Sequence, residues 1–369
     1  NTRMSGGGWI CPDDPDKAIQ YLRAMVRIAN ETLDAERDEH LRILAERMVD
    51  GNNWLRGIGA EIEGVGSAGP TAEPVVHADF PNLPGADTCY SYHPEPSNGY
   101  RNGASFFKAL SDAVQKRDIP VLWGTPGAHL VVEGGAVRGV LGQRGGKRVA
   151  VRATRGVVLS SGGFEFNDWM KENYLRAAPV HFYGNPDNTG DGINMAQEVG
   201  AAMWHMNSAA FRVTIKVPDH PIAFATQRHE EQSILVDKRG SRFTNERFNV
   251  HAFGYELSNY DCHAMCYPRI PCYWVFDEKR RSLGTVASYH GACNPPGGVM
   301  GSIHYVWSKD NQAEVEKGWV IKARTIEELA GRIAEDPDNG GLMTASNLRA
   351  TVRRYNRLCR AGEDTDFRR

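Results

Sequence analysis

The chain has 369 residues, 41% hydrophobic and 24% charged, with a formal net charge of −2. That length and composition suit a globular protein of two domains with a sizeable core. The near-neutral charge excludes bulk attraction to nucleic acid or an anionic membrane, and no apolar run approaches the ~18 residues of a membrane span, so the expected partner is a small molecule. The seven cysteines are odd in number and scattered, which argues against a disulfide framework and for a reducing, cytoplasmic setting. The spacing of Cys262, Cys266 and Cys272 lacks the paired CxxC knuckles of zinc sites, so no metal is expected.

Along the chain, Asp14-Pro15 forms an N-cap followed by a proline suited to the first helical position. Ile19, Leu22, Val26 and Ala29 then fall on one face and predict a helix. A second helical pattern uses Leu41, Leu44 and Met48 and stops near Gly51; a third uses Phe106, Leu110, Ala113 and Val114. Residues 64–99 are rich in Pro, Gly and Ser and read as a long loop. Short β runs follow, at VLW (121–123) and then through 128–153, punctuated by Gly134-Gly135 and Gly145-Gly146, which predicts an antiparallel meander. The run GVVL at 156–159 suits a strand buried on both faces of a parallel sheet. Asn167 is placed to cap the next helix, and another helix is expected through Ile193, Met195, Ala196 and Val199 to Gly200. Beyond about His205 the composition turns aromatic and irregular, marking a domain boundary, and a final helix runs from Thr344 through Leu348, Val352 and Tyr355.

Three glycine-bearing turns carry chemistry or plain turn geometry. Gly6-Gly7-Gly8 reads either as a flexible segment or as a ligand loop. Gly162-Gly163, at a predicted strand end, lets backbone approach a ligand phosphate or ribose, with an ordinary tight turn as the alternative. In NTGDG (188–192), Asp191 is positioned to accept hydrogen bonds from ligand hydroxyls or to cap a helix. No GxGxxG follows an opening strand, so no complete dinucleotide-binding unit is present.

In order, NTRMSGGG, TPGAHLVVEGGAVRGV, RGVVLSSGGFEFN, NPDNTGDGINMAQEVGA, GSRFTNE and TVRRYNRLCRAGEDTDF resemble the FAD-dependent oxidoreductases that include fumarate reductases, ketosteroid dehydrogenases and tricarballylate dehydrogenase-like proteins. The resemblance covers nearly the whole chain and implies an α/β fold: an incomplete Rossmann-like FAD domain with an antiparallel meander over residues 1–205, and a fumarate-reductase-like cap over 206–369. It further implies that the family's opening dinucleotide unit and closing flavin motif are missing, as in a fragment, so that the cofactor groove is open and FAD affinity poor. By the same resemblance Asn1, Thr2, Gly6, Gly7, Gly127, Ala128, Gly162, Gly163 and Asp191 match FAD-contacting positions and converge on one groove.

Fumarate reductases carry a catalytic Arg four residues after the Glu of GSRFTNE, and ketosteroid dehydrogenases often a Tyr; this chain has Val250 there, next to His251. His251 is the candidate proton-transfer residue, because a histidine ordinarily titrates near neutrality, with a solvated or structural histidine as the alternative. Arg247, four residues earlier, shares its face if the segment is helical, and Arg242 is a further cation for a carboxylate. Arg212, Arg228 and His229 are additional cations, while Tyr255, Tyr260, Tyr267, Tyr273 and Trp274 are candidates to line an apolar pocket. The expected function is hydride transfer between flavin and a carbon–carbon bond beside a carboxylate or ketone, on a dicarboxylate or a ring ketone, with an electron-transfer partner unspecified. The alternative, motivated by Val250, is a non-catalytic or cofactor-free relative.

Overall fold

The computed structural model describes residues 2–29, 31–66, 69–71, 75–76, 78–95, 102–211, 213–226, 232–247, 253–288 and 305–369. They fall into two compact units, one made of the described residues up to 123 and the other of those in 124–288 and 305–369.

In the first unit, β1 (Trp9–Pro12) leads into α1 (Pro15–Ile28), where Asp14 accepts hydrogen bonds from the N–H groups of Asp16 and Lys17 and Pro15 opens the helix, as its sequence predicts. α2 (Ala35–Val49), capped by Asp34, stops at Asp50 and α3 (Gly51–Gly57) restarts the chain in a new helix. The stretch predicted as loop instead contains β2 (Ile62–Gly66), β3 (Gly69–Thr71) and β4 (Cys89–Pro94). With β1 these make an antiparallel sheet in the order β1-β4-β2-β3. The pairing is made by backbone groups, which Gly- and Pro-rich composition does not forbid. Cys89 and Ser91 turn alternately inward, and Cys89 packs with Tyr21 and Ala86. α4 (Asn102–Lys116) closes the unit as predicted, whereas 121–123 form no strand and Trp123 is 72% exposed.

The second unit begins with the predicted meander, β5 (Gly127–Glu133), β6 (Ala136–Arg144) and β7 (Lys147–Arg152), antiparallel in sequence order. Both hairpins turn on Gly-Gly pairs at positive φ, 58° and 78°, then 53° and 77°, the twist that two-residue hairpins require. The predicted buried strand at 156–159 is not formed: Val158 is 89% exposed. A strand covered on both faces needs neighbours to bond its backbone, and among the described residues none pairs with it; every described sheet is antiparallel. α5 (Asp168–Tyr174) is capped by Asn167, which accepts from the Met170 N–H, and α6 (Asp191–Glu198) runs out at Gly200, φ 85°.

The rest of this unit contains β8 (Thr214–Ile215), β9 (Phe224–Thr226), β10 (Ser233–Val236), α7 (Phe253–Leu257), β11 (Tyr273–Phe276), α8 (Glu278–Ser282), β12 (Ala287–Ser288), α9 (Gln312–Glu316), α10 (Ile326–Ala334) and α11 (Ala345–Ala361). β12-β9-β8 form one sheet and β10-β11 another. One face of the latter packs Ile234 and Val236 against Ala330, Ile333, Met343 and Leu348, so α10 and the Thr344-capped α11 rest on it. The other face packs Leu235 with Phe243 and Phe253. No described helix is long and apolar enough to cross a membrane.

Candidate functional site

Gly6 and Gly7 belong to the first unit. There the 3-10 turn Thr2–Met4 and the following loop fold onto the start of α4: the Gly103 N–H donates to Ser5 O (3.2 Å) and the Gly7 N–H to Ser5 Oγ (3.1 Å). Gly7 has φ 73°, and a Cβ there would collide with the backbone of Asn102 and Gly103, so only glycine fits. Asn1 lies outside the described residues.

The other matched positions belong to the second unit, and several of them meet around the start of α6. The Gly190 N–H donates to Gly163 O (2.9 Å), and the Gly192 N–H to Ser161 Oγ (3.1 Å), joining the Gly162-Gly163 loop to the NTGDG turn. Gly127, at the start of β5, faces Met195 of α6. Asp191 is not the N-cap; Gly190 takes that place in a left-handed conformation (φ 87°), and Asp191 is the first helical residue. Among the described residues, its exposed carboxylate accepts from Thr189 Oγ1 (2.9 Å). Beside it, Asn188 Nδ2 donates to Glu165 Oε1 (3.1 Å), while Asn188 Oδ1 and Glu165 Oε2 are buried with no partner. Buried acceptors without donors are costly. This corner therefore fits a ligand rich in hydroxyl or amino donors, such as ribose, ribityl or adenine, better than it fits phosphate.

The GSRFTNE segment is built differently from its expected role. The Arg242 side chain is 5% exposed and binds Glu246 in bidentate fashion, Nε to Oε1 at 2.8 Å and Nη2 to Oε2 at 2.7 Å, with Asp364 Oδ2 also at 2.7 Å. Tyr355 and Phe367 sandwich the guanidinium, each ring 4.9 Å away. Glu246 also accepts from Arg369 Nη1 (3.0 Å) and the Leu235 N–H (3.2 Å), and Asn245 Nδ2 donates to Phe367 O and Arg368 O. Burial by itself would lower the Arg242 pKa, but the two carboxylates reverse this and hold it charged. The motif thus fastens residues 364–369 onto β10. Arg247 lies in the exposed turn that follows, and Arg212, Arg228, His229, Val250 and His251 lie outside the described residues.

Sequence reasoning missed a cavity of about 450 Å³ in the second unit, because its walls come from segments far apart in the chain. Phe211, Val213, Ile270, Val286, Trp307 and Trp319 make it largely apolar. Of the flagged aromatics, Tyr255, Tyr273 and Trp274 line it; Tyr260 and Tyr267 instead meet edge to face, 5.0 Å apart. Burial pushes the Tyr273 phenol up, and its hydroxyl, beside Asn339 and Asp336, makes a well-formed hydrogen bond with neither. His181 sits on the rim, partly open to solvent; crowding by the wall, with Lys216 and Lys171 nearby, lowers its pKa.

The described residues thus combine helices and antiparallel sheets in two units, the second of which carries a glycine-flanked acceptor corner and an apolar cavity. The chain belongs to the FAD binding domain family, which it matches over residues 1–369, and FAD is the cofactor that this family binds. It is 31% identical over 279 residues to a 3-oxosteroid 1-dehydrogenase of Mycobacterium tuberculosis, covering 72% of this chain and 45% of that protein. A Sinomonas cyclohexanicum 4-oxocyclohexanecarboxylate 2-dehydrogenase is 29% identical (70% and 40% covered), and a Shewanella frigidimarina fumarate reductase (cytochrome) 23% (100% and 56%). The chain spans about half the length of these curated relatives. In fold it resembles the 3-ketosteroid delta1-dehydrogenase of Sterolibacterium denitrificans, TM-score 0.78 at 21% identity, covering 100% of this chain and 74% of that one.

Proposed function

We propose that the protein is an FAD-dependent oxidoreductase acting on a carbon–carbon bond beside a carbonyl group, a cytoplasmic enzyme whose residues 1–205 hold the cofactor and whose residues from 206 cap the substrate. The supporting observation is the cavity: apolar, aromatic-walled, and lined by Gly254, three residues after His251. Such a wall suits a ring ketone better than a small dicarboxylate, which needs several unpaired cations around it. Two relatives point the same way, since their names record oxidation of a steroid ketone and of a cyclic oxo acid.

Asp191, Glu165 and Asn188 would accept hydrogen bonds from FAD hydroxyl or amino groups. When bound, FAD supplies the two-electron hydride chemistry. His251 takes the proton from the carbon next to the carbonyl on desaturation, or returns it on reduction. Arg247 orients the substrate, and Arg242, spent on Glu246 and Asp364, positions the turn that leads toward His251. In FAD-loaded protein, His251→Gln is expected to slow substrate-dependent flavin reduction by roughly 100-fold, the usual scale for a general base. Unchanged rates would remove His251 from this role.

A further inference from the structure

The cavity carries a charge that its own walls leave uncompensated. Lys216 follows β8, is half-buried and lines the cavity. Its Nζ donates to Val217 O at 2.6 Å, and among the described residues no carboxylate lies within ion-pair distance. Asp219, the carboxylate that acts on it from a distance, is engaged by Trp319 Nε1 at 2.8 Å. Burial lowers the Lys216 pKa, as desolvation of an ammonium without a counter-ion should.

The neighbouring cations are differently employed. Arg269 is paired with Glu256 and sits over Phe243, and Arg176 stacks on Tyr255 at 4.9 Å in the open. Asp336 and Asp338 also line the cavity, but of the described carboxylates it is Asp219 that acts on Lys216. An ammonium has three donors, and holding it half-buried with one of them used costs free energy that an anionic ligand recovers.

We propose, building on the oxidoreductase reading, that the substrate is a ring ketone carrying a carboxylate, with the carboxylate held by Lys216 and the ring against Phe211, Trp274 and Trp307. A cavity of about 450 Å³ accommodates one alicyclic ring with room for substituents. Trp274, Trp307 and Trp319 all line it, so binding is readable by tryptophan fluorescence on the chain as purified, without turnover.

The test titrates a cyclohexanone bearing a ring carboxylate, and its uncharged methyl counterpart, into the native protein, Lys216→Met and Lys216→Arg. The expected result is at least tenfold tighter binding of the carboxylate by the native protein, loss of that preference in Lys216→Met with binding of the uncharged ketone unchanged, and its retention in Lys216→Arg. Equal binding of both ketones by the native protein, or an undiminished preference in Lys216→Met, overturns the role of Lys216 and leaves the ring-ketone reading standing. Failure of both ketones to bind overturns the cavity as the substrate site as well.

Discussion

Glu246→Gln isolates the contribution of the clamp formed by GSRFTNE. The carboxylate has no exposed surface, and it accepts from Arg242 Nε and Nη2, Arg369 Nη1 and the Leu235 N–H. The amide keeps the shape but turns two acceptor oxygens into one acceptor and one donor, which then faces a buried guanidinium. Removing one partner of a buried ion pair costs ~3–5 kcal/mol. Arg242 retains Asp364 at 2.7 Å, which places this variant at the lower end, about 3 kcal/mol. For a unit of this size that corresponds to a fall in Tm of roughly 6–12 °C. Calorimetry of Glu246→Gln is accompanied by a closed cycle of Arg242→Met, Glu246→Met and the Arg242→Met/Glu246→Met double variant. The double variant is expected to cost less than the sum of its two single variants, because neither member of the pair is left facing the gap of the other, while Asp364 and Arg369 each lose one partner. A Tm within about 2 °C of the native protein for Glu246→Gln would show that the clamp contributes no net stability.

Two further outcomes follow from ionisation. Burial by itself would raise the Asp364 carboxyl, but hydrogen bonds from Arg242 and the Phe367 N–H outweigh it and hold the group at about 2; Asp261 and Glu278 are also held at about 2 by their hydrogen bonds. The folded state therefore binds these protons more weakly than the unfolded one. Their stabilisation is complete above the ordinary carboxylate range and is lost as pH falls from about 4 to 2, which urea midpoints across that range will show, with a shallower loss in Asp364→Asn. Burial pushes Cys272 up to about 12 and also raises Cys11 and Cys89, whereas Cys262 and Cys359 are exposed. Alkylation of the native protein at mildly alkaline pH, read by peptide mass, is expected to modify Cys262 and Cys359 well before those three; early loss of the Cys272 thiol would contradict its placement.

What the sequence made legible was local. Asp14-Pro15, Asn167 and Thr344 mark helix starts because a cap needs only its own next three residues, and the Gly-Gly pairs of the meander announce their turns through a φ that other residues resist. The strand expected at 156–159 depended on neighbours, and a buried apolar run is indistinguishable in sequence from an exposed one until those neighbours are placed. The β2-β3-β4 pairing was hidden for the opposite reason, since backbone bonds joined segments whose side chains gave no periodic signal. Arg242 was read as a free cation because its second carboxylate, Asp364, stands 122 residues further on. Lys216 gave no sequence signal at all: only the cavity that it lines together with Phe211, Trp274 and Trp307 makes its charge informative.

The most direct test of the oxidoreductase reading is anaerobic flavin absorbance. Protein loaded with FAD is mixed with a saturated ring ketone bearing a carboxylate, and the reaction is sampled for the corresponding enone. The account predicts that the oxidised flavin spectrum bleaches while enone appears in equimolar amount, or that reduced flavin is reoxidised by the enone, if the enzyme runs in the reducing direction. Bound FAD that is neither reduced by ring ketones nor reoxidised by enones would contradict it.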